Sequence, residues 1–182
     1  MSEYAEFHFG DTWYGVENFP KALADIALEA MKGKPTGKAL DLGCACGRAS
    51  FELARQFDEV DGIDFSANFT RLAAKMAQQG AVRYARTEEG ELVSYHTRTL
   101  QELGLETYAN RVAFHQGDAC NLKPQFTDYD LVLAANLIDR LYQPSRFLAD
   151  MAQRINDGGL LIIASPYTWL EAHTPKEEWI GG

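Results

Sequence analysis

The sequence predicts an α/β domain built on a mostly parallel, doubly wound sheet. Short apolar runs alternate along the chain with segments whose apolar residues recur at helical spacing. A turn with glycines four positions apart, Gly43 and Gly47, joins the first apolar run to a helix. No repeat or low-complexity linker divides the 182 residues, so the whole chain, 1–182, fits one domain.

Residues 1–37 read as an N-terminal cap and a first helix. The cap is rich in aromatics: Tyr4, Phe7, Phe9, Trp13 and Tyr14. Pro20 suits the first turn of the helix because it lacks an N–H. Leu23, Ile26, Ala27, Ala30 and Met31 supply an apolar face, and Gly33, Pro35 and Gly37 break it. The first strand is Ala39 to Leu42, followed by a helix with Phe51, Leu53, Ala54 and Phe57. The second is Val60 to Ile63. Ser66 caps the helix after it, which carries Phe69, Leu72, Ala73 and Met76 and ends at Gly80. The third strand is Val112 to His115. The fourth is Asp130 to Ala134, after a Thr127-Asp128 turn. Ser145 is placed to cap a helix bearing Phe147, Leu148, Met151 and Ile155, which Gly158-Gly159 stops. The fifth strand, Leu160 to Ala164, ends before Pro166.

Residues 81–110 exceed what a crossover between the second and third strands needs. Val82 to Arg86 and Leu92 to His96 pair as a hairpin across Glu88-Glu89-Gly90, and a short helix follows around Leu100 to Leu105. This segment is expected to be an insertion that, with the aromatic N-terminus, closes over the site.

The net charge of −9 argues against broad binding to nucleic acid or an anionic membrane. No apolar stretch has the length of a membrane span, and no basic-then-apolar leader opens the chain. Three cysteines are an odd number for a disulfide framework, so the expectation is a cytoplasmic protein with reduced thiols.

The chemistry concentrates at strand ends. Asp41-Leu42-Gly43-Cys44-Ala45-Cys46-Gly47 ends a buried strand in an acidic residue and turns into a helix. Gly43 allows close backbone approach, and Gly47 lets the helix start beside the strand. The N–H groups of such a turn favour an anionic ligand group. The dinucleotide pattern G-x-G-x-x-G is not met, because Ala45 replaces the middle glycine and Arg48 follows Gly47. The amino-acid end of S-adenosylmethionine fits better: its carboxylate takes the turn's N–H groups and Asp41 attracts its ammonium. Asp64, at the end of the second strand and followed by Phe65 and Ser66, stands where an acidic side chain reaches ribose hydroxyls. Gly117-Asp118-Ala119-Cys120, after the third strand, offers a carboxylate and backbone N–H groups to adenine. After the fourth strand come Asn136, Leu137, Asp139 and Arg140, where the sheet order should reverse and ligands meet. Asn136, Asp139 and Arg140 are expected to face the methyl group and its acceptor. Tyr167 and Trp169, after the fifth strand, would form a neighbouring wall. Each of these residues also fits an ordinary capping or packing role.

Cys44, Cys46 and Cys120 lack the spacing and fourth ligand of a zinc site, and no metal is expected. His8, His96 and His173 stand isolated in sequence and read as surface residues. His115 is placed at the end of a buried strand.

Several runs together resemble the 4-mercaptohistidine N1-methyltransferase family, which also forms the C-terminal domain of bifunctional ovothiol-biosynthesis enzymes. The runs are Asp41 to Ala54, Gly62 to Ser66, Gln116 to Leu122, Ala135 to Leu141 and Ser165 to Glu171. The resemblance covers most of the chain. It implies a Rossmann-like class I methyltransferase that moves a methyl group from S-adenosylmethionine to an imidazole nitrogen of a thiol-bearing histidine, releasing S-adenosylhomocysteine. It implies a small-molecule partner and sets no oligomeric state. Class I methyltransferases usually carry two more strands after the fifth, and these last two strands are expected to be lacking here.

Overall fold

A computed structural model describes residues 1–12 and 14–181. The sheet has five parallel strands in the order β5-β2-β1-β6-β7: β1 Lys38–Leu42, β2 Glu59–Asp64, β5 Val112–Gln116, β6 Tyr129–Ala135 and β7 Ile155–Ala164. A separate antiparallel hairpin pairs β3 (Ala81–Glu89) with β4 (Leu92–Thr99). The five predicted strands and the hairpin therefore form, and the order reverses between β1 and β6 as expected.

Helices cover both faces. On one, α2 (Phe19–Ala30) and α3 (Arg48–Leu53) bury Leu23, Ala27, Leu53 and Phe57 against Ala39, Leu131 and Leu133. On the other, α5 (Pro144–Met151) buries Phe147 and Met151 against Leu40, Leu42, Val132 and Ala134. The β6 run is apolar on both sides because both faces of a parallel sheet are covered. A third cluster joins α1 (Ser2–Phe9), α4 (Ala67–Gln79) and the hairpin through Ala5, Phe9, Phe51, Met76, Val82 and Tyr84. A fully buried Phe or Leu contributes about 1.5–3 kcal/mol relative to exposure, so this cluster holds α1 firmly on the domain.

Local chemistry explains most boundaries. The side chain of Asn18 accepts from the Lys21 N–H to start α2, with Pro20 in its first turn. Ser66 caps α4, and Gly80 ends it in the left-handed conformation.

Several expectations need correction. The aromatic N-terminus is a helix, α1, which has no side-chain cap to announce it. Ile26 and Ala30 point away from the α2 core; Ala24 and Leu28 take their place. Ser145 does not cap α5; Pro144 opens it after Gln143. Gly158-Gly159 does not stop that helix but lies inside β7, which starts at Ile155 and shifts register against β6 there. Residues 100–105 form turns, and the helix after the hairpin is a 3-10 turn at Glu106–Arg111. Trp13 lies outside the described residues. No helix among the described residues is long and apolar enough to cross a membrane.

Candidate active site

Two cavities meet above the C-terminal ends of β1, β2 and β6, sharing Gly43, Asp64 and Leu137. The first, of about 480 Å³, is bounded by Asp41, Cys44, Ala45, Asn136 and, from α1, Tyr4, Phe7 and His8. The second, of about 330 Å³, is bounded by Phe65, Gly117, Asp118, Ala119, Arg140 and Tyr142. Open parallel sheets place ligands at this reversal of strand order.

The turn after β1 is tight. Gly43 has φ +73°, and a β-carbon on it would come within 3.1 Å of Leu137 Cδ1. Gly47 has φ +87°, and a β-carbon there would lie 2.5 Å from the Phe114 ring. The glycines thus serve left-handed backbone and close packing together. Ala45, between them, also has positive φ. Cys44 and Cys46 are buried in the turn as free thiols, and burial raises both pKa values, Cys46 to about 12.

The anion-binding expectation for this turn needs revision. The N–H groups of Gly43 and Cys44 donate to Ile63 O at 2.8 and 3.2 Å. The Ala45 N–H donates to Asp64 Oδ2 at 2.9 Å, and the Gly47 N–H to Cys44 O at 2.8 Å. The Arg48 N–H, first in α3, donates to His8 Nδ1 at 3.3 Å. The turn is held by these partners before any ligand arrives.

Asp41 is buried and accepts from Ser50 Oγ at 2.6 Å. Burial raises its pKa to about 6; the Ser50 bond opposes that rise and the nearby Asp64 adds to it. Asp64 accepts from the Ala45 and Ser66 N–H groups on its two oxygens. Its pKa is raised by burial against those two bonds. Each carboxylate oxygen keeps a further lone pair for a hydroxyl. Asp118 accepts from the Cys120 N–H at 2.8 Å and from Tyr142 Oη at 3.0 Å, and Phe65 is exposed at the cavity mouth.

The residues expected at the acceptor do not converge. Asn136 lines the first cavity in a left-handed conformation, with φ +51° and its N–H donating to Ala164 O. Asp139 is fully buried and lines neither cavity. Its carboxylate accepts from Ser165 Oγ, the Thr168 N–H, Thr168 Oγ1 and Arg140 Nη1 at 3.0–3.2 Å. Arg140 also donates to Thr168 O and Oγ1, and it borders the second cavity instead of the first. Tyr167 and Trp169 border a separate groove with Ile138 and Ile163. Asp139 and Arg140 form a junction between the loops after β6 and β7, because a buried carboxylate needs several donors at once.

The outer wall of the first cavity comes instead from α1 and its surroundings: Tyr4, Phe7, His8, Phe19 and Phe69. The Tyr4 and Phe69 rings lie 4.5 Å apart, and Phe7 and Phe19 6.1 Å apart. The density of aromatics near the N-terminus was the signal for this wall. His8 gave no such signal; far from a surface position, it is buried, and burial together with Arg48 lowers its pKa to about 4. The hairpin lines neither cavity. It braces α1 from behind, with ion pairs from Arg86 to Glu6 and from Arg98 to Asp11. His115 is not at a buried strand end: β5 is the sheet edge, and the half-exposed ring bonds to Asp61 at 3.0 Å. Among the described residues no three His, Cys, Asp or Glu side chains group to hold a metal ion.

The fold and the position of the cleft define a Rossmann-like class I methyltransferase domain. The chain belongs to the methyltransferase-domain family, whose pattern residues 16–181 match. It is 23% identical over 171 residues to the ubiquinone biosynthesis O-methyltransferase of Sodalis glossinidius (strain morsitans), covering 88% of this chain and 58% of that protein. A solved S-adenosylmethionine-dependent methyltransferase from Clostridium acetobutylicum ATCC 824 superposes with a TM-score of 0.59 at 16% identity, over 88% of this chain and 54% of that one. The N-terminal domain of EvdMO1, solved with S-adenosylhomocysteine bound, matches at 0.52 and 21% identity, over 78% and 48%. The chain thus spans about half the length of the proteins it matches. S-adenosylmethionine is the cofactor of this family, and the residues expected to hold it, Asp41, Asp64, Phe65 and the Gly117–Ala119 turn, border the two cavities.

Proposed function

We propose that this chain transfers the methyl group of S-adenosylmethionine to a ring nitrogen of a small thiol-bearing imidazole, 4-mercaptohistidine. The observation that supports the methyltransferase reading is the pair of cavities joined at Gly43, Asp64 and Leu137, one bordered by Asp118 and the Gly117–Ala119 turn and one walled by aromatic rings. The imidazole reading is supported by the runs Ala135 to Leu141 and Ser165 to Glu171, which resemble the 4-mercaptohistidine family. A net charge of −9 and a cavity of about 480 Å³ favour a small molecule over a nucleic acid.

The bound cofactor supplies an activated methyl group; the chain supplies placement and a dry path. Tyr4, Phe7, Phe19 and Phe69 present flat apolar faces to a ring. Asn136 offers both a donor and an acceptor at the rim. A neutral imidazole brings its own lone pair, so no general base is needed. Neither His8, with its low pKa, nor Asp139, tied to four donors, is placed to act as one.

The test is mass spectrometry of products after incubating the chain with S-adenosylmethionine and a panel of thiol-imidazoles and phenols. N-methylated thiol-imidazole is the expected product. Methylation of phenols alone, as the likeness to an O-methyltransferase would suggest, would overturn the imidazole assignment. Tight S-adenosylhomocysteine binding without turnover of any small acceptor would make the domain a cofactor-binding module.

A further inference from the structure

We propose that the side chain of His8 receives the carboxylate of the cofactor's amino-acid end, in place of the backbone of the glycine turn. The assignment rests on S-adenosylmethionine occupying the cleft.

A carboxylate enclosed in a cavity needs hydrogen-bond donors to replace the water it loses. The turn after β1 has few to give. The N–H groups of Gly43, Cys44, Ala45, Gly47 and Arg48 already donate to protein acceptors. Cys46 does not border the cavity, and beyond the turn the Ala49 N–H, second in α3, is the backbone donor that borders it without a protein acceptor among the described residues. No lysine or arginine borders it either; its charged residues are Glu3, Asp41 and Asp64. The nearby Arg48 guanidinium is buried and engaged with Glu52 and the His8 carbonyl.

His8 fills this gap. The residue is only 6% exposed and borders the same cavity as Asp41, Gly43, Cys44 and Ala45. Its Nδ1 accepts the first N–H of α3, which fixes the ring's proton on Nε2. Among the described residues, Nε2 has no hydrogen-bond partner. The other side-chain donors of the cavity are less suited: Tyr4 is half exposed, and Asn136 belongs to the end of β6. With a pKa near 4 the ring stays neutral through the physiological range, so Nε2–H is a donor there at every relevant pH. His8 and Asp41 thus offer a donor and an anion to the two charged ends of an amino acid. The N-terminal helix becomes part of the cofactor site as well as a wall for the acceptor.

Two substitutions separate binding from scaffolding. His8→Asn keeps an acceptor near the Nδ1 position for the Arg48 N–H but removes the donor at Nε2. His8→Gln restores an amide N–H near Nε2. Calorimetry uses S-adenosylhomocysteine and 5′-methylthioadenosine, which keeps the adenosine and sulfur but has no carboxylate. His8→Asn should weaken S-adenosylhomocysteine binding about tenfold or more, the usual effect of losing a hydrogen bond to a charged group. Methylthioadenosine affinity should be unchanged, and His8→Gln should recover part of the loss. Equal loss for both ligands, or no loss for either, overturns the assignment. If the unsubstituted chain binds neither ligand, the cofactor reading itself has failed.

Discussion

The strand-end turns that border the cleft and the Asp139 junction beside it are built differently. At the strand-end turns each carboxylate takes one bond from two residues on, Asp64 from the Ser66 N–H and Asp118 from the Cys120 N–H, and a second from farther away, Ala45 and Tyr142. At the Asp139 junction and in the aromatic wall of the first cavity most partners are remote. Asp139 meets Ser165 and Thr168, 26 and 29 residues on, and the cavity wall comes from α1 at the opposite end of the chain. The comparison teaches that a strand-end turn is partly set by its own sequence, whereas a junction or a cavity wall depends on which distant segments the fold brings together.

The largest effect should come from the strand-end turns. Gly47→Ala places a β-carbon at φ +87° and 2.5 Å from the Phe114 ring. Left-handed strain costs about 1–2 kcal/mol and overpacking about 1–3 kcal/mol. Urea unfolding should therefore show a loss of about 2–5 kcal/mol. A loss below about 1 kcal/mol would mean that the turn adapts and is not rigid.

Next comes the Asp139 junction. Asp139→Ala removes four bonds to a buried carboxylate and should cost about 2–3 kcal/mol of stability. S-adenosylhomocysteine affinity should stay within about twofold, because Asp139 borders neither cavity. Calorimetry on the folded variant decides this. A collapse of cofactor binding would show that the turns and the junction are one cooperative unit.

The smallest effect sharpens the role of Asp41. Its pKa is raised by burial to about 6 in the folded chain. Between about pH 4 and 6 the folded state therefore holds a proton that the unfolded state has released. The contribution of Asp41 to stability is greatest at low pH and falls as pH rises through that window. Ligand affinity runs the other way, because only the carboxylate attracts an ammonium. S-adenosylhomocysteine should bind about tenfold more weakly at pH 5 than at pH 7, and Asp41→Asn should flatten the profile. A wild-type affinity that does not vary over this range would remove Asp41 from the ammonium contact.

The same division governs what could be read from the sequence. The five sheet strands were legible because parallel strands buried on both faces are short apolar runs, and the hairpin because Gly90 sits between two β-rich segments. The strand-end residues Asp41, Gly43, Asp64 and Asp118 were legible for the local reason above, and the structure places all of them at the two cavities. The helical state of residues 2–9 was not legible, since its stability comes from packing of Ala5 and Phe9 onto α4 and the hairpin. Nor was the burial of His8, which follows from that docking. Asp139 and Arg140 were read by proximity to Asn136. One residue of 3-10 helix separates neighbours onto different sides, and sequence adjacency cannot show that.

The Asp139 junction also bears on how the loops after β6 and β7 can be exchanged between relatives. Its carboxylate grips Ser165 and Thr168 while its own loop follows β6, so the two loops share one set of polar contacts. A graft that imports either loop alone leaves a buried acid without donors, or donors without an acid. Chimeras that respect the junction must carry residues 136–141 and 165–169 together, which makes the pair the natural unit of recombination at this end of the molecule.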